Sequence, residues 1–353
     1  MNKDEILAWL LENDPDRLAK LWSLADGTRR AHVGDAVHIR GLIEFSSYCR
    51  SHCHYCGMRA GRRSLSRYRM TRDEILASAR EAADRGYGTV VMQSAEDPGL
   101  DIEWLAGIIL TMKRDLSLAI TLSLGERTLE ELARLRNAGA DRYYLRFETS
   151  DRLLWKKIHP GRTPHRLELL PRIKELGYET GSGTLVGIPG QTWDSVAEDL
   201  EWFRRLDLDM IGCGPFVPHP GTPSGLEHAL IAAEKLPGQA ANDSLAACKV
   251  MALTRLVCPD VNIPSTTALA TLNNEDGHRL GLQRGANVLM VNLTPLEYRS
   301  LYEIYPNKAG IRESARGQRE RVAALLAGLG RTAGEGPGVS RNFEERLKAA
   351  ASR

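Results

Sequence analysis

The chain has 353 residues and a formal net charge of +2 at pH 7, so charge gives no reason to expect a nucleic-acid or membrane-surface partner. No stretch is apolar for long enough to span a bilayer, and the opening segment, Met1 to Trp22, is charged and helix-like with no apolar signal core. Three of the six cysteines cluster early, while Cys213, Cys248 and Cys258 are scattered. That pattern is not a disulfide framework, and a reducing cytoplasm is the expected setting.

Residues 1–31 read as a helical lead-in, with Asp26-Gly27-Thr28 as a stop or turn. Apolar, β-branched-rich runs then alternate with helix-length amphipathic segments. The candidate strands are Val37–Phe45, Gly88–Gln93, Leu118–Leu124, Arg142–Phe147, Glu179–Val186, Met210–Gly212, Asn262–Pro264 and Asn287–Val291, the sixth and seventh being short. Thr71-Arg72-Asp73-Glu74 and Thr128-Leu129-Glu130-Glu131 are capping boxes that open helices. Gly139 and Gly177 stand where helices end. Such alternation implies parallel strands with helical crossovers, and eight rounds predict a single α/β domain, a (β/α)₈ TIM barrel over 32–306. A doubly wound open sheet is the structural competitor. Residues 307–353 read as a C-terminal helical extension packed on the outside, with helices over Arg312–Leu326 and Phe343–Ala351 and a glycine-rich run, Gly328–Gly338, between them.

The densest chemical signal is Cys49-Arg50-Ser51-His52-Cys53-His54-Tyr55-Cys56, a C-x₃-C-x₂-C trio with no fourth cysteine nearby. Three thiolates can hold three irons of a cubane cluster and leave the fourth iron open to a ligand. The competing reading is structural zinc, which wants a closed tetrahedral set. His52 or His54 could complete one only in a cramped loop.

The spacing, with Tyr55 just before the last cysteine, resembles the signature of the radical S-adenosylmethionine (SAM) superfamily. Flanking segments narrow the resemblance: Ile43–Arg50, Tyr55–Arg59, Arg67–Met70, Gln93–Pro98, Thr121–Glu126, Leu145–Thr149, Gly177–Gly181, Gly190–Thr192 and Gly214–Pro220. Together, from about residue 30 to 306, they resemble the E-type (HydE) maturase family of [FeFe]-hydrogenase, within a group that includes biotin synthase and methylornithine synthase. The resemblance implies a [4Fe–4S] cluster on Cys49, Cys53 and Cys56, with SAM on its open iron. It implies one-electron cleavage of SAM to a 5′-deoxyadenosyl radical and a small-molecule or organometallic substrate. It also implies dealings with other hydrogenase maturases and a reductant such as flavodoxin or ferredoxin. A related enzyme acting on another small thiol or amino-acid-derived substrate is the first alternative, and an iron–sulfur carrier or scaffold the second. Many members of this group carry an accessory cysteine trio near the C-terminus, but here no cysteine follows Cys258.

By the same resemblance, Gln93, Ser94, Glu96, Glu148 and Arg166 would hold SAM, although Arg166 lies beyond a variable loop. Thr121, Arg146, Thr266, Thr267, Met290 and Tyr298 would face substrate. Read physically, Arg146 and Glu148 lie two apart on one face of the fourth strand, where inward charges must be paired or bind something polar. The Gln93–Asp97 turn could equally be a loop whose Ser94 or Asp97 caps a helix, and each threonine could be ordinary strand filler. Phe147 should face away from the lumen. Gly187–Thr192 lacks the lysine of a phosphate loop and reads as a tight turn beside the SAM adenosine. His219, between two prolines, reads as a loop residue, and Cys213, Cys248 and Cys258 as buried bystanders.

Overall fold

In the computed structural model, which describes residues 1–163, 165–234, 237–273 and 276–351, seven parallel strands curl around a common axis. They are β1 (Ala36–Ser46), β2 (Thr89–Ser94), β3 (Ala119–Ser123), β4 (Arg142–Tyr144), β5 (Glu179–Val186), β6 (Met210–Pro215) and β7 (Val288–Asn292). Their order in space is β6-β5-β4-β3-β2-β1-β7. The predicted seventh strand, Asn262–Pro264, is reduced to single bridges, Asn262 to Met210 of β6 and Pro264 to Val288 of β7. Ile211 donates to the Asn262 carbonyl (2.9 Å) and Asn287 to that of Ile263 (2.9 Å), so this short segment joins the two edges. The result is a TIM-barrel-like ring, and the open doubly wound sheet is set aside. A further strand, β8 (Thr332–Ala333), pairs with the start of β1.

Local signals act where the sequence places them. Thr71 and Thr128 form reciprocal capping boxes with Glu74 and Glu131. Gly139 and Gly177 adopt φ of +106° and +83° just past their helices, a conformation that costs glycine little. Two readings need correction. Asp26-Gly27-Thr28 does not stop the lead-in: it lies within the helix Pro15–Val33, which ends before Gly34. Asp26 is turned to Arg29 (2.9 Å) and Arg331 (2.6 Å) instead of capping. The fourth strand ends at Tyr144, not Phe147.

The C-terminal extension does more than pack outside. Its glycine-rich part enters the base of the barrel, where Pro337 and Gly338 present carbonyls to lumen side chains. Arg142 (2.9 Å) and Thr89 (2.8 Å) donate to Pro337, and Asn262 (2.9 Å) and Arg40 (3.2 Å) donate to Gly338. Glu179 pairs with Arg142 and accepts from the Ser340 N–H (2.9 Å). Buried charge is tolerated only when satisfied in this way. Gly88 is required here, because a Cβ would sit 1.8 Å from the Gly336 carbonyl oxygen. The base is thereby closed, and the lumen is left accessible from its other end.

Candidate active site

The C-terminal strand ends of a parallel barrel converge on one mouth, where loops can bring functional groups together. Here they surround a cavity of about 300 Å³ lined by Cys49, Cys53 and Cys56, by Glu44, Gln93, Ser94 and Ser123 from the first three strands, and by Tyr144, Arg146, Glu148, Arg166, Thr266, Thr267 and Met290. Glycines make room on its far side: a Cβ on Gly212 would lie 2.1 Å from the Tyr144 hydroxyl.

The cysteine loop is held at both ends of its arc. Arg50 N–H donates to the Glu96 carbonyl and His54 N–H to that of Ile158, each at 2.9 Å, and Gly57 N–H donates to Ile304 at 2.7 Å. All three thiols are unbridged. Burial pushes the Cys53 thiol up to about 11, and Cys56 is also raised by burial. Neither His52 nor His54 lines the cavity with the three thiols, so the loop does not supply the closed Cys/His set that structural zinc wants. Three thiols spread around one cavity fit a cluster in which each takes its own iron.

Next to the loop lies an ion network. Glu96 accepts from Arg50 Nε (2.8 Å), Ser51 Oγ (2.9 Å) and Arg162. Burial alone would raise its carboxyl, but the hydrogen bond from Arg162, with those from Arg50 and Ser51, outweighs it and holds the group below the usual range. Arg162 also meets Glu126 at 2.8 Å, and Arg166 Nε meets the other Glu126 oxygen at 2.8 Å. Ser94 Oγ is buried with no partner. Asp101, not Ser94 or Asp97, caps the helix that follows. Asp97 instead binds Arg69 (2.7 Å) and Ser46 (2.6 Å).

Arg146 and Glu148 lie just past β4 and both face the cavity. Their Nε and Oε2 atoms approach to 3.1 Å, yet neither makes an aligned hydrogen bond. Glu148 Oε1 accepts from the Tyr55 hydroxyl at 3.3 Å, and that hydroxyl lies 3.1 Å from His159 Nε2. Arg166 donates to the Arg146 carbonyl at 2.8 Å. Glu148 adopts φ +69° and bridges Thr184 of β5. Phe147 points away and packs on Phe203.

Some expected residues sit elsewhere. Thr121 pairs with Val91, a wall residue, and sits one layer below Ser123, its hydroxyl buried and unpartnered; it does not itself line the cavity. Thr266 lines the cavity and also caps the helix Thr267–Leu272. Tyr298 does not reach the cavity: its ring stacks on Tyr68 (4.6 Å) and its hydroxyl donates to Glu74 (2.8 Å). Tyr302 and Tyr305 line the wall instead, because the short helix Leu296–Arg299 turns Tyr298 outward before the chain returns. Sequence reasoning missed Tyr144, Arg162, Lys308, Tyr302 and Tyr305. It also missed Glu44, whose carboxylate pairs with Lys308 and accepts from Asn292 (2.9 Å). The Gly187–Thr192 turn is stitched by Gln191, which accepts from Gly187 N–H at 2.7 Å. It supports an apolar shelf of Leu154, Ile158, Ile188 and Phe216 beside Tyr55. His219 is a loop residue bonded to Arg62 (3.0 Å), and Cys213, Cys248 and Cys258 are buried.

A parallel barrel with three free thiols at its mouth, beside paired charges and a closed base, defines a radical SAM enzyme. The model of the radical SAM superfamily matches residues 43–203. The [FeFe] hydrogenase maturase subunit HydE of Thermotoga maritima is 43% identical over 94% of this chain and 92% of its own. The 3-methylornithine synthase of Methanosarcina acetivorans is 27% identical over 82% of this chain and 79% of its own. The crystal structure of methylornithine synthase (PylB) superposes with a TM-score of 0.79 at 24% identity, covering 98% of this chain and 96% of that one. The chain belongs to the HydE family of radical SAM enzymes. Its cofactors are those of the family, a [4Fe–4S] cluster and SAM.

Proposed function

We propose that the mouth cavity is where this HydE-type enzyme holds its cluster and SAM, and that the substrate is a small, iron-bearing or cysteine-derived molecule used in assembling the [FeFe]-hydrogenase active site. The observation that carries the reading is the convergence of Cys49, Cys53 and Cys56 with Arg146, Glu148 and Arg166 on one cavity above a closed barrel base. When bound, the cluster and SAM supply a one-electron cleavage that yields a 5′-deoxyadenosyl radical.

The chain's own residues explain how such a reaction is contained. Glu148 keeps Oε2 free of any aligned hydrogen bond and offers it to an ammonium group. The Ser94 hydroxyl, also unpartnered, faces the same cavity, and the Arg166 fork suits a carboxylate. Glu96, tied to Arg50 and Arg162, holds the cysteine loop against β2 and supplies negative charge beside it. Tyr144, Met290, Thr266 and Thr267 wall the lumen below, Thr121 lies one layer deeper, and Arg146 is a cation on the same cavity wall. The plugged base and the apolar shelf exclude water. Other hydrogenase maturases and a flavodoxin- or ferredoxin-like reductant complete the expected set of partners.

The test is maturation in vitro. An apo-[FeFe]-hydrogenase is supplied with its other maturases but not the E component, and this chain is added. Restored hydrogen evolution is expected. If SAM is cleaved but no hydrogenase activity appears, the substrate belongs to a related pathway; a source genome lacking [FeFe]-hydrogenase would point the same way.

A further inference from the structure

A second cavity opens on the flank of the barrel, between β7, the loop 307–313 and the helix Ala315–Leu329. At about 610 Å³ it is twice as large as the mouth cavity. Leu42, Thr267, Met290 and Lys308 line both spaces. Its other end is bounded by Gly310, Arg312 and Arg321, which are exposed. The two spaces therefore lie back to back, sharing a wall of these four residues, and the flank cavity opens to solvent at its outer end. The proposed chemistry makes no use of it.

The lining has a definite chemistry. Four cationic side chains, Arg279, Lys308, Arg312 and Arg321, face a single carboxylate, Glu313. Glu313 is engaged by Arg321 in a two-point contact of 2.8 and 3.0 Å. Arg279 is 3.5 Å from Asp276. Arg312 has no acidic partner among the described residues. At the inner end, Lys308 pairs with Glu44, a carboxylate on the lumen side. His278, also in the lining, keeps Nδ1 buried without a hydrogen-bond partner. Excess positive charge in a concave site concentrates anions, and guanidinium forks match carboxylates in particular.

We propose that the flank cavity binds small carboxylates and is a side door by which they reach the lumen, with the Lys308–Glu44 pair closing its inner end. An arriving carboxylate can replace Glu44 as the partner of Lys308, so the door opens by exchange of one ion pair for another. With SAM across the mouth and the base plugged, exchange at this pair gives the lumen a remaining entrance. The passage rests on the reading of the lumen as the reaction chamber; carboxylate binding in the flank does not.

The probe is 4-bromobenzoate, offered to the anaerobically reconstituted full chain with saturating SAM. Bromine is located by anomalous scattering in crystals, and affinity is measured in solution. Bromine is expected in the flank cavity beside Arg312 and Arg321 and, under bound SAM, in the lumen. Ala324→Trp fills the cavity from an exposed helix position that does not itself line the mouth. It should weaken binding at least about tenfold and abolish the lumen signal. SAM cleavage without probe, measured on the same variant, should match wild type and reports the proposed function separately. Bromine in neither space, bromine in the flank alone, or a lumen signal unaffected by Ala324→Trp would overturn the proposal.

Discussion

Glu148 holds a left-handed backbone, φ +69°, which costs a non-glycine residue about 1–3 kcal/mol. Three surrounding bonds enforce it: Glu148 N–H to the Gly183 carbonyl (3.1 Å), Leu185 N–H to the Glu148 carbonyl (3.1 Å), and the Thr184 hydroxyl to the same carbonyl (2.5 Å). The strained backbone sets the Glu148 carboxylate at the cavity wall. Glu148→Gln keeps the shape and removes the charge. It should weaken SAM binding by more than about tenfold, while the cluster's visible absorption is retained; unchanged SAM affinity would count against the assignment. Behind this segment Asp199, fully buried, accepts from Ser150 N–H and Oγ (both 2.6 Å) and lies 2.9 Å from Thr184 Oγ. Burial pushes its carboxyl up to about 7. The folded state therefore holds a proton that the unfolded chain releases above about pH 4, and stability falls as pH rises from there through 7. Asp199→Asn should remove that slope, gaining more than about 1 kcal/mol on wild type at pH 7 relative to pH 4. Urea melts at several pH values would show it; parallel pH profiles would contradict it.

At the scale of elements, the base plug makes the clearest demand. Residues Gly334 to Ser340 supply partners to Arg40, Thr89, Arg142, Glu179 and Asn262. Arg40, Arg142 and Glu179 are at most 3% exposed, and stripping a partner from a buried charge is costly. A chain ending at Ala333 should lose at least about 3 kcal/mol of unfolding free energy, read from the denaturant midpoint; an unchanged midpoint would mean that the plug is ornamental. The plug also shows what local pattern cannot carry. Strands β1, β2, β3 and β5 and the two capping boxes were legible because period and cap chemistry are local. Gly328–Gly338 has no periodicity, so its place in the lumen follows only from the polar side chains waiting there. Regular strand β4 ends early because the backbone turns left-handed at Glu148, although Glu148 still bridges Thr184 of β5. The same holds for the site: Cys49, Cys53 and Cys56 declare themselves by spacing, whereas Glu44 and Lys308 are 264 residues apart and meet only once the barrel closes. Arg162 was hidden in the loop before helix Arg166–Glu175, and Tyr298 was displaced by one short helix that spacing does not reveal.

For the whole molecule, the fold divides labour between its two ends. The base is sealed by the chain's own C-terminal segment, and the mouth carries the thiols and the charges. Between them lies a small lumen walled by Tyr144, Met290, Thr266 and Glu44. Such a vessel suits chemistry in which a reactive species must meet substrate before it meets solvent. The likeness to HydE of Thermotoga maritima spans the full vessel, at 94% of the chain, so cluster loop, mouth and barrel come as one unit. The central claim is that Cys49, Cys53 and Cys56 hold a redox cluster that cleaves SAM in the mouth cavity. Its most direct measurement is 5′-deoxyadenosine formed by the anaerobically reconstituted protein with SAM and a strong reductant, against Cys53→Ala and Cys213→Ala. The account predicts product from wild type and Cys213→Ala and none from Cys53→Ala. Product from Cys53→Ala at the wild-type rate, or none from wild type with its cluster verified, would contradict it.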